Sequence, residues 1–162
     1  MEKYKIRRAV PADLENILTI YAGARDFMVQ AGNPTQWKDG YPARDLLMSD
    51  LEGEQLYVAE NATGLHGVFF FAVMEDPTYL YMEDGTWRSD TPYGVIHRIA
   101  SDGSGGIFSA CLDFCTRQIH HIRIDTHHDN QPMQHVLEKH GFSRRGIIYV
   151  ADGTSRIAFD RV

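Results

Sequence analysis

His97 is the titrating side chain best placed to move a proton. It stands in Val95-Ile-His-Arg-Ile-Ala-Ser101, an apolar stretch that runs straight into Asp102-Gly-Ser-Gly-Gly106. An imidazole titrates close to neutral pH, which suits a general base. Read as a strand, the stretch puts His97 and Ile99 on one face and Arg98 on the other, so Arg98 reads as structural. The other reading of His97 is a core histidine bonded to a carboxylate. Gly103, Gly105 and Gly106 let the chain turn tightly where a helix begins, and the free N–H groups there suit a pyrophosphate. A flexible loop that only caps the helix is the alternative.

A second strand–turn–helix unit follows: Ile122-Arg-Ile-Asp-Thr126, a polar turn to Asn130, then a short amphipathic helix stopping at Gly141. Asp125 and His127 fall at the strand's C-terminal end, where open α/β sheets place ligands. They are candidates to contact a substrate. Asn130 suits the N-cap of the helix. His120, His121, His127, His128 and His135 invite a zinc hypothesis. They are spread over a strand, a turn and a helix without a tight H-x-x-x-H pair, so substrate or polar-turn roles are preferred and no metal is expected.

Glu75 to Gly94 is long, acidic and aromatic, and connections of this length are usually functional or disordered. Tyr79, Trp87 and Tyr93, with Trp37 upstream, could cover an amine by stacking or cation–π contact. Asp76, Glu83, Asp84 and Asp90 could attract it. A solvated acidic loop with aromatic anchors is the alternative.

The elements that must position these residues follow from periodicity. Tyr4 and Ile6 suggest a first strand, and Pro11-Ala-Asp13 starts a helix carrying Leu14, Ile17, Leu18 and Tyr21. This helix ends before Gly32-Asn-Pro34, and a short one follows with Leu46, Leu47 and Leu51. Gln55–Glu60 and Leu65–Met74 read as strands joined by a turn at 61–64. Strand 95–101, helix 106–118, strand 121–126, helix 130–140 and strands near 146–150 and 155–161 complete the chain. The order β α α β β β α β α β β defines an α/β domain on a mixed sheet.

At 162 residues the chain suits one domain, residues 1–162. A net charge of −6 argues against a nucleic-acid binder that works through a basic face. No apolar run approaches the roughly 20 residues of a membrane helix. The N-terminus lacks the apolar core of a signal peptide. Cys111 and Cys115, at i and i+4 on one helix, read as reduced buried thiols of a cytoplasmic protein.

The element order and both glycine-broken units resemble the GNAT-type N-acetyltransferase superfamily over nearly the whole chain. The most specific segment is Asn130 through Phe142, similar to the family's Asn…Lys-x-Gly-Phe ending; Ala100 to Leu112 resembles its acyl-coenzyme A loop and helix. The resemblance implies a mixed, mainly antiparallel sheet flanked by helices. It also implies acetyl-CoA as acyl donor and the primary amine of a small molecule or peptide as acceptor, and it leaves room for a homodimer. A non-catalytic acyl-CoA-binding or interaction domain of the same fold is the alternative. The family's loop carries Arg/Gln-x-x-Gly-x-Gly/Ala, which this chain fits in two registers. One uses Gly103 and Gly105, with Ala100 in the Arg/Gln place. The preferred one uses Gly106, with Phe108 where a small residue belongs. Ile99, Ser101, Gly103, Ser104, Gly105, Gly106, Ile107 and Phe108 would then hold the cofactor. Asn130 would bond the pantetheine arm, beside or instead of its capping role. The family's thiol-protonating tyrosine corresponds to Leu137, which leaves Tyr149 or a water to serve.

Overall fold

The apolar residues of the central strands come in unbroken runs, so both sheet faces must be covered. The computed structural model describes residues 3–162 and shows how. Seven strands form one sheet in the order β1-β2-β3-β4-β5-β7-β6. They are β1 (Lys5–Arg8), β2 (Leu56–Asn61), β3 (Gly64–Val73), β4 (Gly94–Ser101), β5 (Ile122–Thr126), β6 (Ser143–Tyr149) and β7 (Ser155–Arg161). The helices are α1 (Leu14–Gln30), α2 (Arg44–Glu52), α3 (Ile107–Thr116) and α4 (Gln131–Lys139). The sequence-predicted order holds throughout; β6 starts three residues earlier than expected, at Ser143 rather than Gly146.

Alternation along β2 sends Leu56 and Val58 to one face and Tyr57 and Ala59 to the other. The first pair packs with Ile17, Tyr21 and Leu47 of α1 and α2. The second packs with Phe69, Phe71 and, on α3 and α4, Cys111, Leu112, Cys115 and Leu137. Both cysteines are buried and unbridged. Tyr79, Tyr93, Val95, Ile148 and Ala158 form a third cluster. It shares the α1/α2 face: Val95 lies opposite Ala72, four residues along β3 from Val68.

Helix starts follow the local chemistry. The Asp13 carboxylate accepts the Val10 N–H at 2.8 Å and is gripped by Arg7 at 2.8 and 3.0 Å, which anchors the start of α1 to β1. Asn130 caps α4 by accepting the Met133 N–H at 3.2 Å. Gly141, at φ +86°, turns the chain out of α4. No helix among the described residues is long and apolar enough to cross a membrane.

Candidate active site

Of the six strand pairs among the described residues only β4–β5 is parallel, and it holds register at just two positions, Gly94↔Ile122 and Val95↔Arg123. From Ile96 onward the edge of β4 that faces β5 has no strand partner among the described residues. The strands diverge into a cleft of about 590 Å³. Its walls are β4, the end of β5, the 36–41 loop after α1, and the turn around Asp152 between β6 and β7.

β4 carries a bulge at this point. Phe70 pairs with His97 and Val68 with Ala100, so Arg98 and Ile99 together oppose Phe69. Arg98 has φ +52°, a left-handed conformation that a non-glycine residue adopts only under restraint. The restraints are visible. Asp50 of α2 takes the guanidinium at 2.9–3.1 Å, the buried Tyr21 hydroxyl donates to the Arg98 carbonyl at 2.7 Å, and the guanidinium lies 4.8 Å from the Phe70 ring centre. Simple alternation is therefore corrected. His97 and Ala100 share the α1/α2 face, whereas Ile99 packs toward α3 and α4. Arg98 does not point away from His97; both line the cleft.

His97 is half-buried, and its Nε2 lies 2.6 Å from Asp76 Oδ2. The other carboxylate oxygen accepts the Thr78 N–H at 2.9 Å and the Thr78 hydroxyl at 2.7 Å. Burial opposes ionisation of Asp76, but the bonds from His97 and Thr78 and the His97 charge outweigh it and hold the carboxyl down at about 2. An ionised carboxylate only accepts, so Nε2 of His97 carries the hydrogen. Nδ1, which has no partner among the described residues, is then the basic atom. His97 is thus bonded to a carboxylate, as in its core reading, yet it lines the cleft. Asp125 also lines the cleft and accepts the Tyr79 hydroxyl at 2.7 Å.

At the far end of β4, Gly106 has φ +84° and caps α3. The first intrahelical bond is Ala110 N–H to the Gly106 carbonyl, which leaves the N–H groups of Ile107, Phe108 and Ser109 without helical partners. A Cβ on Gly106 would meet nothing closer than 3.8 Å, and none lies within 4 Å of Gly103. Anionic groups fit here, with Lys3 bonded to the Gly105 carbonyl at 3.0 Å. Two features work against them. Asp102 accepts the Ser104 N–H at 3.0 Å, and Phe108 packs edge-on against His140 and Phe142 where a small residue would open the approach. Ser101 Oγ accepts the Gly103 N–H at 3.2 Å.

Other expectations are corrected by position. Tyr79 and Tyr93 are buried, and neither they nor Trp87 lines the cleft. Trp87 and Tyr93 instead stack on Arg123, whose guanidinium lies 4.2 and 3.9 Å from their ring centres. Trp37 does line the cleft. Tyr149 is exposed on β6 and donates to Glu83 at 2.8 Å, away from the cleft, so it is neither core nor an acid for this site. His127 is buried and engaged at both nitrogens. Nδ1 accepts the Asp129 N–H at 3.0 Å, and Nε2 lies 3.2 Å from the Thr35 hydroxyl. The one cluster among the described residues with metal-like spacing, His127, His128 and Asp129, therefore has its central imidazole occupied.

Sequence reasoning missed Gln36. Its side-chain carbonyl accepts Asn130 Nδ2 at 3.1 Å, the His127 N–H at 3.3 Å and Asn33 Nδ2 at 2.9 Å. It pins the loop after α1 to the end of β5. Asn130 thus serves as N-cap and as brace for that loop.

No protein-family model matches the sequence, and no curated protein sequence matches it. Solved structures do share its fold. An acetyltransferase of the GNAT family from Streptococcus agalactiae 2603 is 26% identical, with TM-score 0.90 over 99% of this chain and 96% of that one. A GNAT-family acetyltransferase from Listeria monocytogenes 4b F2365 is 18% identical, with TM-score 0.69 over 97% and 94%. Ard1 from Thermoplasma volcanium is 20% identical, with TM-score 0.64 over 99% and 97%. At that identity the latter two speak for the fold alone. The mixed sheet opened between β4 and β5 is the fold of these acetyltransferases, and the likeness supports a place in the GNAT N-acetyltransferase superfamily.

Proposed function

We propose that the protein transfers an acetyl group from acetyl-CoA to the primary amine of a small molecule or peptide. The observation that carries this reading is the His97–Asp76 dyad at the mouth of the β4–β5 cleft. The unpaired edge of β4 suits the pantetheine arm, and the N-terminus of α3 suits the pyrophosphate. Bound there, the donor supplies a thioester acyl group. The chain does the rest. Asp125 attracts the ammonium, Nδ1 of His97 takes its proton, and the ionised Asp76 stabilises the imidazolium that results. Free N–H groups on the β4 edge suit the carbonyl oxygen as charge develops on it.

A second reading, an acyl-CoA-binding domain without turnover, is favoured by Leu137, Phe108 and the Asp102 carboxylate in the loop. One experiment separates the two. Purified protein is mixed with acetyl-CoA and a panel of primary amines, and thiol release and acetylated product are measured. Turnover that falls about 10²–10⁴-fold in His97→Ala, with coenzyme A affinity kept, supports catalysis by the dyad. Coenzyme A binding with no acetylated amine favours the second reading.

A further inference from the structure

Arg156 is a buried cation without a counter-ion. The residue is 7% exposed, yet it lines the cleft. Its Nη1 donates to Thr154 Oγ1 and the Ser155 carbonyl, each at 2.9 Å, and its Nη2 reaches the Gln36 carbonyl at 3.4 Å. All three acceptors are neutral. Among the described residues no carboxylate forms an ion pair with it, and its Nε–H finds no acceptor. Arg98 and Arg123 differ: the half-buried Arg98 is paired with Asp50, and the buried Arg123 lies between two aromatic rings. Asp152 and Lys38 also line the cleft, and Asp152 senses both cations, but it is exposed and its Oδ1 is taken by the Thr154 N–H and hydroxyl. The other titrating neighbour is His127, held below its ordinary value by burial and then by the charges of His128 and Arg156. It offers no negative charge. A desolvated guanidinium facing a cavity is costly unless an anion completes it.

The strand register says which face that anion occupies. Asp125 lies opposite Ala158, and cross-strand partners share a face. Arg156 is two residues from Ala158 and therefore shares it too. His97 is on the same face across the splay. So β4, β5 and β7 present His97, Asp125 and Arg156 side by side: base, anion, cation.

We infer that the acceptor is an amine that also bears a carboxylate, with Arg156 as the carboxylate-binding residue and Lys38 at the rim. A guanidinium fork matches a carboxylate geometrically, whereas an ammonium belongs with Asp125 and His97. This inference rests on the transferase reading for the amine but not for the anion site.

The test compares L-amino acids and ω-amino acids with their carboxamides. Binding is measured by calorimetry in the presence of coenzyme A, and turnover with acetyl-CoA. The acids should bind at least about tenfold more tightly than the amides, as expected for a desolvated charged pair. Arg156→Gln should bring that ratio close to one while coenzyme A affinity stays at the wild-type value. Arg156→Lys keeps the charge without the fork and should give an intermediate ratio, which covers the case of a poorly folded glutamine variant. Acids and amides binding alike, no acid binding at all, or a ratio that survives Arg156→Gln each overturn the inference. Lost coenzyme A affinity in Arg156→Gln would assign the anion site to the cofactor and overturn it as well. Acids that bind through Arg156 while no amine is acetylated uphold this site and sink the transferase reading.

Discussion

Replacing Asp76 with asparagine changes one atom type and should disable the dyad. Asp76 Oδ1 already accepts two bonds from Thr78, so an amide in its place must keep its oxygen there and turn its NH₂ toward His97. Nε2 of His97 must then accept, which moves the ring hydrogen to Nδ1, the atom proposed to take the proton. Turnover should fall about 10²-fold or more, with little change in the affinity for coenzyme A. The stability cost can be worked from the same carboxyl. Held at about 2 rather than at its ordinary 3.8, it contributes about 2 kcal/mol at neutral pH. For a chain of 162 residues that is a drop of about 4–8 °C in Tm. The sign follows from a lowered folded-state pKa. The contribution is complete above pH about 4, where the unfolded carboxyl is also ionised, and disappears as pH falls toward about 2. Thermal melts of wild type and Asp76→Asn should therefore differ at pH 7 and converge near pH 2–3. Wild-type turnover in the variant, or a stability gap that does not depend on pH, would refute the reasoning.

Gly106→Val places a β-branched residue at φ +84° at the start of α3. It should cost about 1–3 kcal/mol and abolish most of the roughly 2–3 kcal/mol stabilisation that saturating coenzyme A gives wild type, as read from ligand-dependent melts. His121 and His127 are both held below the ordinary histidine value, chiefly by burial. The unfolded chain then binds more protons, so stability should be complete above pH about 6.5 and fall as pH drops below it. Urea titrations at pH 7.5 and 5.5 should show a smaller gap when both residues are glutamine. Arg98→Met leaves Asp50 buried and unpaired beside a strained bulge; the loss should be about 3–5 kcal/mol by chemical denaturation.

The order of elements was legible because apolar residues fall at strand and helix spacings and because glycines mark the helix boundaries. The bulge lies outside what simple alternation predicts, although β4 carries its trace. Apolar residues at 95, 96, 99 and 100 flank His97 and Arg98, a pattern that strict alternation cannot produce. The aromatic residues of segment 75–94 mislead for a related reason. Tyr79, Trp87 and Tyr93 cluster in sequence as a substrate cover would, but Arg123 in the middle of an apolar strand needs rings on the same face. A cation inside a strand is the sign that nearby aromatics are packing. Arg156 breaks the apolar pattern of β7 in the same way and has no rings; that contrast becomes visible only once the fold brings it to the cleft.

On the proposed reading, the dyad answers for the missing tyrosine. Leu137 is fully buried in the core on α4, and Tyr149 is bonded to Glu83 on the outer surface, so neither can supply a proton at the cleft. In the proposed reaction His97 gains a proton from the ammonium, and the ionised Asp76 keeps the resulting imidazolium in place. In that proposal the charged His97 can return its proton to the departing thiolate, so the reaction does not require a separate phenol. A histidine with a carboxylate behind it can serve both directions of proton transfer; a tyrosine at Leu137 would have to open the packing of α4 against Phe142 and Phe159 to enter the site.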